Sequence, residues 1–356
     1  MKTNLLYVPL TLLLAVVVAS CGGGNSGGTP TPAAATPIPP TLSANVSALA
    51  LVVSGSSRSL IFTNVGTSTA VAVTYSISPA LPTGTTISPA SCGDIAAAAT
   101  CTLTVTPGAT LSASAGAPNP TPTTLSIAGT NTNTLARTID VLTYGSVYQS
   151  GYVFAIDDTK PVTGSIGGTV AALVDQASAF GTAIQWSSVA GGGPAFDDIA
   201  GISQASTNPP DACKGNSDGA CNSQAIVAFY SPPNTTPAIN RSSYAAGLCT
   251  VTIAGYADWY LPAVCELGYD AGGGGGPSGS ACGSSTTPVA QNMQLNLVEN
   301  GMGNLAGYYW SSTERSGTPD QHSFMQSVSP TGSNSYQAAF PKDFQYGVRC
   351  ARALTF

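Results

Sequence analysis

Apolar and polar positions alternate most clearly between residues 58 and 143. In AVAVTYSIS, residues 70–78, Val71, Val73, Tyr75 and Ile77 alternate with Ala72, Thr74 and Ser76. That two-residue period is the mark of a half-buried strand. SLIFTN (59–64) places a strand before it, and VGTSTA supplies a glycine-containing turn between them. Cys101, Leu103 and Val105 share one face of a later strand, and Cys92 stands near enough to close a short loop onto Cys101. TLSIAGTNTNTLARTIDVL (124–142) reads as a closing hairpin. Short strands at this spacing, with Pro-Gly and Asn-rich turns, predict an all-β immunoglobulin-like sandwich over residues 42–143. The segment offers no titratable cluster, so a spacer role is expected.

Beyond Tyr144 the pattern changes. YVFAI (152–156), GYYWSST (307–313), SYQAAF (335–340) and YGVRCARAL (346–354) read as strands. NSQAIVAFY (222–230), SSYAAGLCTVTI (242–253) and QNMQLNLVENG (291–301) read as helices, the last stopping at Gly301 as a C-cap. Helices and strands mix without βαβ regularity, so residues 144–356 are expected to form an α+β domain. Gly272–Gly276 marks a loop.

The first 41 residues carry no core pattern. Lys2 and the apolar run LLYVPLTLLLAVVVA (5–19) form a signal peptide over residues 1–20. Val18-Ala19-Ser20-Cys21 resembles the bacterial lipobox, which implies acylation of Cys21, here with palmitate as the reporter; a plain signal peptide is the alternative. Gly22 stands where an aspartate would favour inner-membrane retention, so the resemblance implies the outer membrane, with outer-membrane lipid as a partner. Residues 21–41, rich in Gly, Pro and Thr, read as a tether.

Charge narrows the function. Charged residues make up 7% of the chain and hydrophobic ones 43%, with a net charge of −6. From Tyr144 onward there are 14 acidic and 7 basic side chains, and no basic stripe, which argues against nucleic acid. Nine cysteines less Cys21 leave eight, an even number in an exported chain, and predict four disulfides. Zinc lacks a Cys-x-x-Cys pair, and His322 is the only histidine.

Candidate chemistry is sparse. A triad would have to use His322 with Asp320, in a loop-like segment. Glycosidase chemistry would have to draw on Asp157-Asp158 or Asp197-Asp198, adjacent acids that more often cap turns. NSDGACN (216–222) has the oxygen-rich character of a calcium loop but lacks the later bidentate glutamate; a turn stapled by Cys213–Cys221 is the plainer reading. The densest stretch is ADWYLPAVCELGY (257–269), with two carboxylates, two large aromatics and a cysteine.

YVFAIDD, AAGLC, DWYLPAVCELGY, YWSSTE and YGVRCARAL occur in that order. Together, over about residues 148–356, they resemble the C-terminal domain family of the Legionella collagen-like adhesin. The resemblance implies a C-type lectin-like fold and a role in adhesion, with sulfated glycosaminoglycan as the adhesin's described ligand. It also implies disulfides Cys249–Cys350 and Cys265–Cys282. Trp259, Leu261 and Trp310 would be core anchors and Pro262 would sit in the first helical turn. Glu266 would favour the helix N-terminus, Asp258 would hold backbone N–H groups of the preceding turn, and Arg349 would pair with a buried carboxylate such as Glu266. Two departures stand out: the collagen-like region is absent, and the domain is acidic, which repels a polyanion. A related fold is used by formylglycine-generating oxidases, for which Cys265 would need a base that no nearby histidine supplies.

The expectation is therefore a lipid-anchored outer-membrane binding protein, surface-exposed with the periplasmic face as the alternative orientation, and an adhesin for glycan or extracellular matrix, without catalysis, metal or cofactor. A structural envelope lipoprotein and an exported cysteine oxidase are the rivals. Binding is expected at loops 268–288 and 312–324, the latter carrying Glu314, Arg315, Asp320, Gln321 and His322. Arg315 is the candidate for gripping an anionic sugar group.

Overall fold

The structure is a computed structural model that describes residues 38–117, 121–178, 183–189, 193–207, 212–270, 279 and 281–355. The signal peptide, Cys21, nearly all of the tether and the glycine-rich part of the 268–288 loop lie outside the described residues. The described chain belongs to one compact unit, Ile38–Phe356. It is mostly β-sheet.

The first half builds nine strands among the described residues: β1 (Leu42–Ala44), β2 (Ala48–Val52), β3 (Arg58–Asn64), β4 (Ala70–Ser78), β5 (Thr86–Ser88), β6 (Gly93–Ile95), β7 (Thr100–Thr106), β8 (Thr123–Ala128) and β9 (Leu135–Leu142). They form two sheets, ordered β1-β3-β7-β5 and β2-β9-β8-β4-β6, with β2 parallel to β9. Side-chain alternation makes the sandwich: Leu60 and Phe62 on β3, Leu103 and Val105 on β7, and Leu125 and Ile127 on β8 are all fully buried. Each such side chain contributes roughly 1.5–3 kcal/mol of burial free energy. Cys92–Cys101 is bridged.

One strand departs from its pattern. Val71 is expected inside but is 41% exposed, and Ala70 is buried instead. The β4–β6 register shifts between Ala70 and Val73, with Ala72 at φ 49°, so a bulge turns Val71 outward before the alternation resumes at Val73.

The second half contributes β10 (Val147–Tyr148), β11 (Gly151–Asp157), β12 (Gly167–Ala172), β13 (Ile184–Gln185), β14 (Gly307–Glu314), β15 (His322–Val328), β16 (Tyr336–Pro341), β17 (Gln345–Tyr346) and β18 (Ala351–Ala353). Its α-helices are α1 (Gly219–Phe229), α2 (Ala245–Cys249), α3 (Val264–Leu267) and α4 (Met293–Asn296). Sheets β10-β11-β12-β18 and β14-β15-β16 enclose a core holding Trp186, Trp259, Leu261 and Trp310, and β13 pairs with β17 beside it. Helix starts follow local chemistry: Asp218 accepts the Cys221 N–H at 3.0 Å, and Asn292 accepts that of Leu295 at 2.9 Å. Gly301 takes a left-handed φ of 70° at the end of the turn after α4. The helix expected over 242–253 shortens to α2, and Ile253 instead bridges Tyr256.

Arg58 joins the two halves. Fully buried, it donates to the carbonyls of Asp158, Pro161, Gly164 and Ser165 and to the Asp158 carboxylate at 2.8 Å.

Candidate functional site

The 257–269 stretch is scaffold. Trp259 is 2% exposed and its indole N–H donates to Ile253 O at 3.0 Å; Leu261 is fully buried. Ala263 caps α3, because the Glu266 carboxylate takes its N–H at 2.8 Å together with that of Gly219 at 3.0 Å and the Tyr260 hydroxyl at 2.9 Å. Pro262 therefore stands before the cap rather than in the first turn. Burial pushes the Glu266 carboxyl up to about 7. Cys265 is joined to Cys282, which removes it as a free thiol. Cys213–Cys221 and Cys249–Cys350 are also bridged, so all four expected pairs form.

Two assignments are corrected. Arg349 pairs with Asp175 at 2.7 Å, not with Glu266, and its Nη1 also donates to the Ala172 and Gly303 carbonyls. Glu266 is already filled by three neutral donors, so no cation is needed there. Asp258 does not brace the preceding turn. Its side chain is 48% exposed and contacts Arg352 at 3.5 Å, whose guanidinium lies 3.8 Å over the Tyr256 ring.

The 312–324 loop is shorter than expected. β14 continues to Glu314 because its outer edge finds partners: Ser312 N–H donates to Pro262 O and Glu314 N–H to Ile202 O. Glu314 is fully buried against Lys342, with Nζ to Oε1 at 2.5 Å, so it is not a surface ligand. Lys342 also donates to Asp197 O and lies 4.2 Å over Trp186. Arg315 is half-buried, Asp320 and Gln321 are exposed, and His322 opens β15 with Nδ1 2.9 Å from Thr318 Oγ1. Burial, then the Arg315 charge, hold His322 below its usual pKa.

The remaining candidates for chemistry are dispersed. Asp157 accepts from Thr159 and Asp158 from Arg58, while Asp197 takes the Tyr230 hydroxyl at 3.2 Å. Asp218 is spent as the α1 cap, and no cluster of three or more His, Cys, Asp or Glu side chains suited to a metal occurs among the described residues. A hollow of about 260 Å³ lies over Tyr230, Asp197, Phe229 and Pro237, and another of about 380 Å³ beside Lys160, Gln291 and Leu354.

What the sequence reading missed is an aromatic strip. Tyr308 on β14 and Tyr336 on β16 both register with Ser327 of β15, so they share one sheet face, and their centroids lie 6.4 Å apart. Tyr346 of β17 leans over that face, 5.7 Å from Tyr308 and 4.7 Å from Trp310. Phe340 and Phe344 extend the strip, 5.7 and 6.2 Å from Tyr346. Trp310 is the buried floor, whereas Tyr308 is 40% and Phe344 44% exposed. Burial, then the Tyr336 and Tyr308 neighbours, push the Tyr346 phenol up to about 12, so it stays a neutral donor. The signal was present as alternation in Tyr308/Trp310, Tyr336/Phe340 and Phe344/Tyr346, but it only joins once the strand order is known.

No protein-family model and no curated protein matches the chain. Among solved structures, a fimbrial protein from Bacteroides ovatus aligns at TM-score 0.35 and 10% identity, over 90% of this chain and 71% of that one. WR4, an MSP family member of C. elegans, aligns at TM-score 0.21 and 10% identity, over 28% and 97%. The E. coli chaperone DraB aligns at TM-score 0.22 and 11% identity; the match takes in 29% of this chain and about half, 54%, of that one. At such scores the fold rests on the chain's own topology.

Proposed function

We propose that the chain is a lipid-anchored bacterial surface protein that binds an extracellular ligand through its C-terminal half, in the manner of an adhesin. A C-type lectin-like identity for residues 144–356 is part of this reading and is supported by the five sequence blocks, by the mixed helices and sheets, and by the Cys249–Cys350 and Cys265–Cys282 bridges. One observation carries the binding role. Glu314, Lys342, Arg349 and Glu266 are committed to internal partners, while an aromatic strip with Tyr308 and Phe344 exposed stands over the β14-β15-β16 sheet. Exposed large rings on a supported scaffold mark recognition surfaces.

Anchoring rests on the lipobox resemblance at Cys21. Cys21→Ser should abolish labelled-palmitate uptake and release the protein from outer-membrane fractions; unchanged uptake would overturn the anchor. The binding role is tested by presenting the full-length protein, in detergent, to panels of glycans and matrix proteins. Retention of a ligand class supports it. Silence across both panels would instead support a structural envelope role.

A further inference from the structure

We propose that the strip formed by Tyr308, Tyr336, Tyr346 and Phe344 is a stacking site for an uncharged saccharide chain. The inference rests on the binding role proposed above and names its ligand chemistry. A sugar ring has an apolar C–H face and a hydroxylated rim. Tyrosine offers the complement, an apolar ring with a hydroxyl at one end. Here three tyrosines and a phenylalanine lie within one patch, with neighbouring centroids 5.7 to 6.4 Å apart. Their planes are tilted by 41° to 61° rather than stacked flat, which leaves separate ring surfaces toward solvent. Trp310 and Phe340 support them from below, so the exposed rings are held in place before a ligand arrives.

Charge decides the class of saccharide. The residues on either side of Phe344 that face solvent are Asp343 and Gln345, an acceptor and an amide. The neighbouring cation, Lys342, is fully buried against Glu314 and cannot reach a ligand. Arg315 lies beyond the end of β14 from Tyr308, but its N–H donates to His322 O and His322 registers with Pro341, so this cation stands toward the Phe344 end of the strip. A sulfated or uronic-acid chain would meet Asp343 on a half of the chain with 14 acidic and 7 basic side chains, and the partly exposed cation, Arg315, lies beside His322 rather than among the rings. A neutral chain gains stacking on the rings and hydroxyl contacts to Asp343 and Gln345 at no such cost. The patch of four rings is also small beside the surface of roughly 800 Å² per partner that a standard protein interface buries.

The test presents full-length protein to immobilised neutral polysaccharides (a β-glucan, a galactan and a mannan) and, in parallel, to heparin and chondroitin sulfate. The parent should bind at least one neutral polysaccharide, and binding should survive raised salt. Tyr308→Ala and Phe344→Ala should each weaken it about tenfold. Tyr308→Phe should retain most of it, and circular dichroism should show that the folded structure of each variant is kept, because both rings lie at the surface. Binding confined to the sulfated chains, or to matrix proteins, and indifferent to Tyr308→Ala would overturn the inference while leaving the binding role standing. No retention on any neutral polysaccharide would overturn it as well. The binding role itself fails only if every panel is silent.

Discussion

The Lys342 ammonium and the Glu314 carboxylate meet at 2.5 Å with both side chains wholly enclosed. Burial pushes Glu314 up to about 7 and Lys342 down, while their mutual contact opposes both shifts. The pair ties the end of β14 to the residue after β16, across the β15 strand that lies between them. Breaking it leaves one enclosed charge without a partner. Lys342→Met is expected to cost about 3–5 kcal/mol in urea unfolding at pH 7, and the added change Glu314→Leu should recover most of that loss. Since Glu314 can take up a proton, the cost of Lys342→Met should shrink at pH 5. An equal cost at both pH values would mean that the carboxyl is not what suffers.

Arg58 plays the corresponding part between the two halves. Its guanidinium binds four carbonyls and one carboxylate in segment 158–165, and the fully buried β3 stem holds it there. Burial pushes the Asp158 carboxyl up, but hydrogen bonds from Arg58 and Ser56 together hold it below its usual value. Arg58→Met should cost on the order of 2–4 kcal/mol, because the carbonyls lose their donors in a closed space. Limited proteolysis should then cut first within 158–165. A variant cleaved no faster than the parent would show that this junction does not depend on Arg58.

How much of this was legible depended on how local each feature is. Cys101, Leu103 and Val105 alternate within one strand, so their burial could be read directly. Val71 could not, since its bulge is set by pairing with β6, more than twenty residues away along the chain. Polar Glu314 read as loop because nothing near it in sequence announces Lys342, 28 positions later. Arg349 was assigned the wrong acid for the same reason, its partner Asp175 lying 174 positions back. The aromatic strip was visible in three separate segments, and only sheet order makes it one surface. Residue type and period were readable; the choice of distant partner was not.

The Cys249–Cys350 bridge spans 101 positions and both sulfurs are buried. It fastens α2 to the segment entering β18, where Val348 belongs to the core and Arg349 pairs with Asp175. In the chain-entropy view, a loop of this length restricts the unfolded chain by about 4–5 kcal/mol. The double variant Cys249→Ala/Cys350→Ala should lose on the order of 4 kcal/mol under denaturation without reductant. By contrast, opening the eight-position Cys213–Cys221 loop should cost less. The reverse ranking would show that native-state packing, not loop length, sets the effect.

Acid should at first stabilise this protein. Burial raises Glu266 from 4.5 to about 7 and Asp140 from 3.8 to about 6. A carboxyl whose folded pKa is raised binds its proton more tightly in the folded state. Its contribution is therefore full below the unfolded value and is lost as pH climbs through the folded one. For Glu266 that window runs from about pH 4.5 to about 7. Asp157 and Asp158 act in the opposite sense, since both are held below 3.8 and their contribution disappears only in stronger acid. Stability should thus be greatest near pH 4–5 and decline by several kcal/mol by pH 7.5, with roughly 3 kcal/mol from Glu266 alone. Glu266→Gln isolates the main group. The amide oxygen can still accept the Ala263 and Gly219 N–H groups, and its NH2 can donate to the Tyr260 hydroxyl oxygen. Urea unfolding of this variant across pH 4.5–7.5 should show a clearly flatter slope than the parent. An unchanged slope would remove Glu266 as the titrating group and shift attention to Asp140 and Glu314.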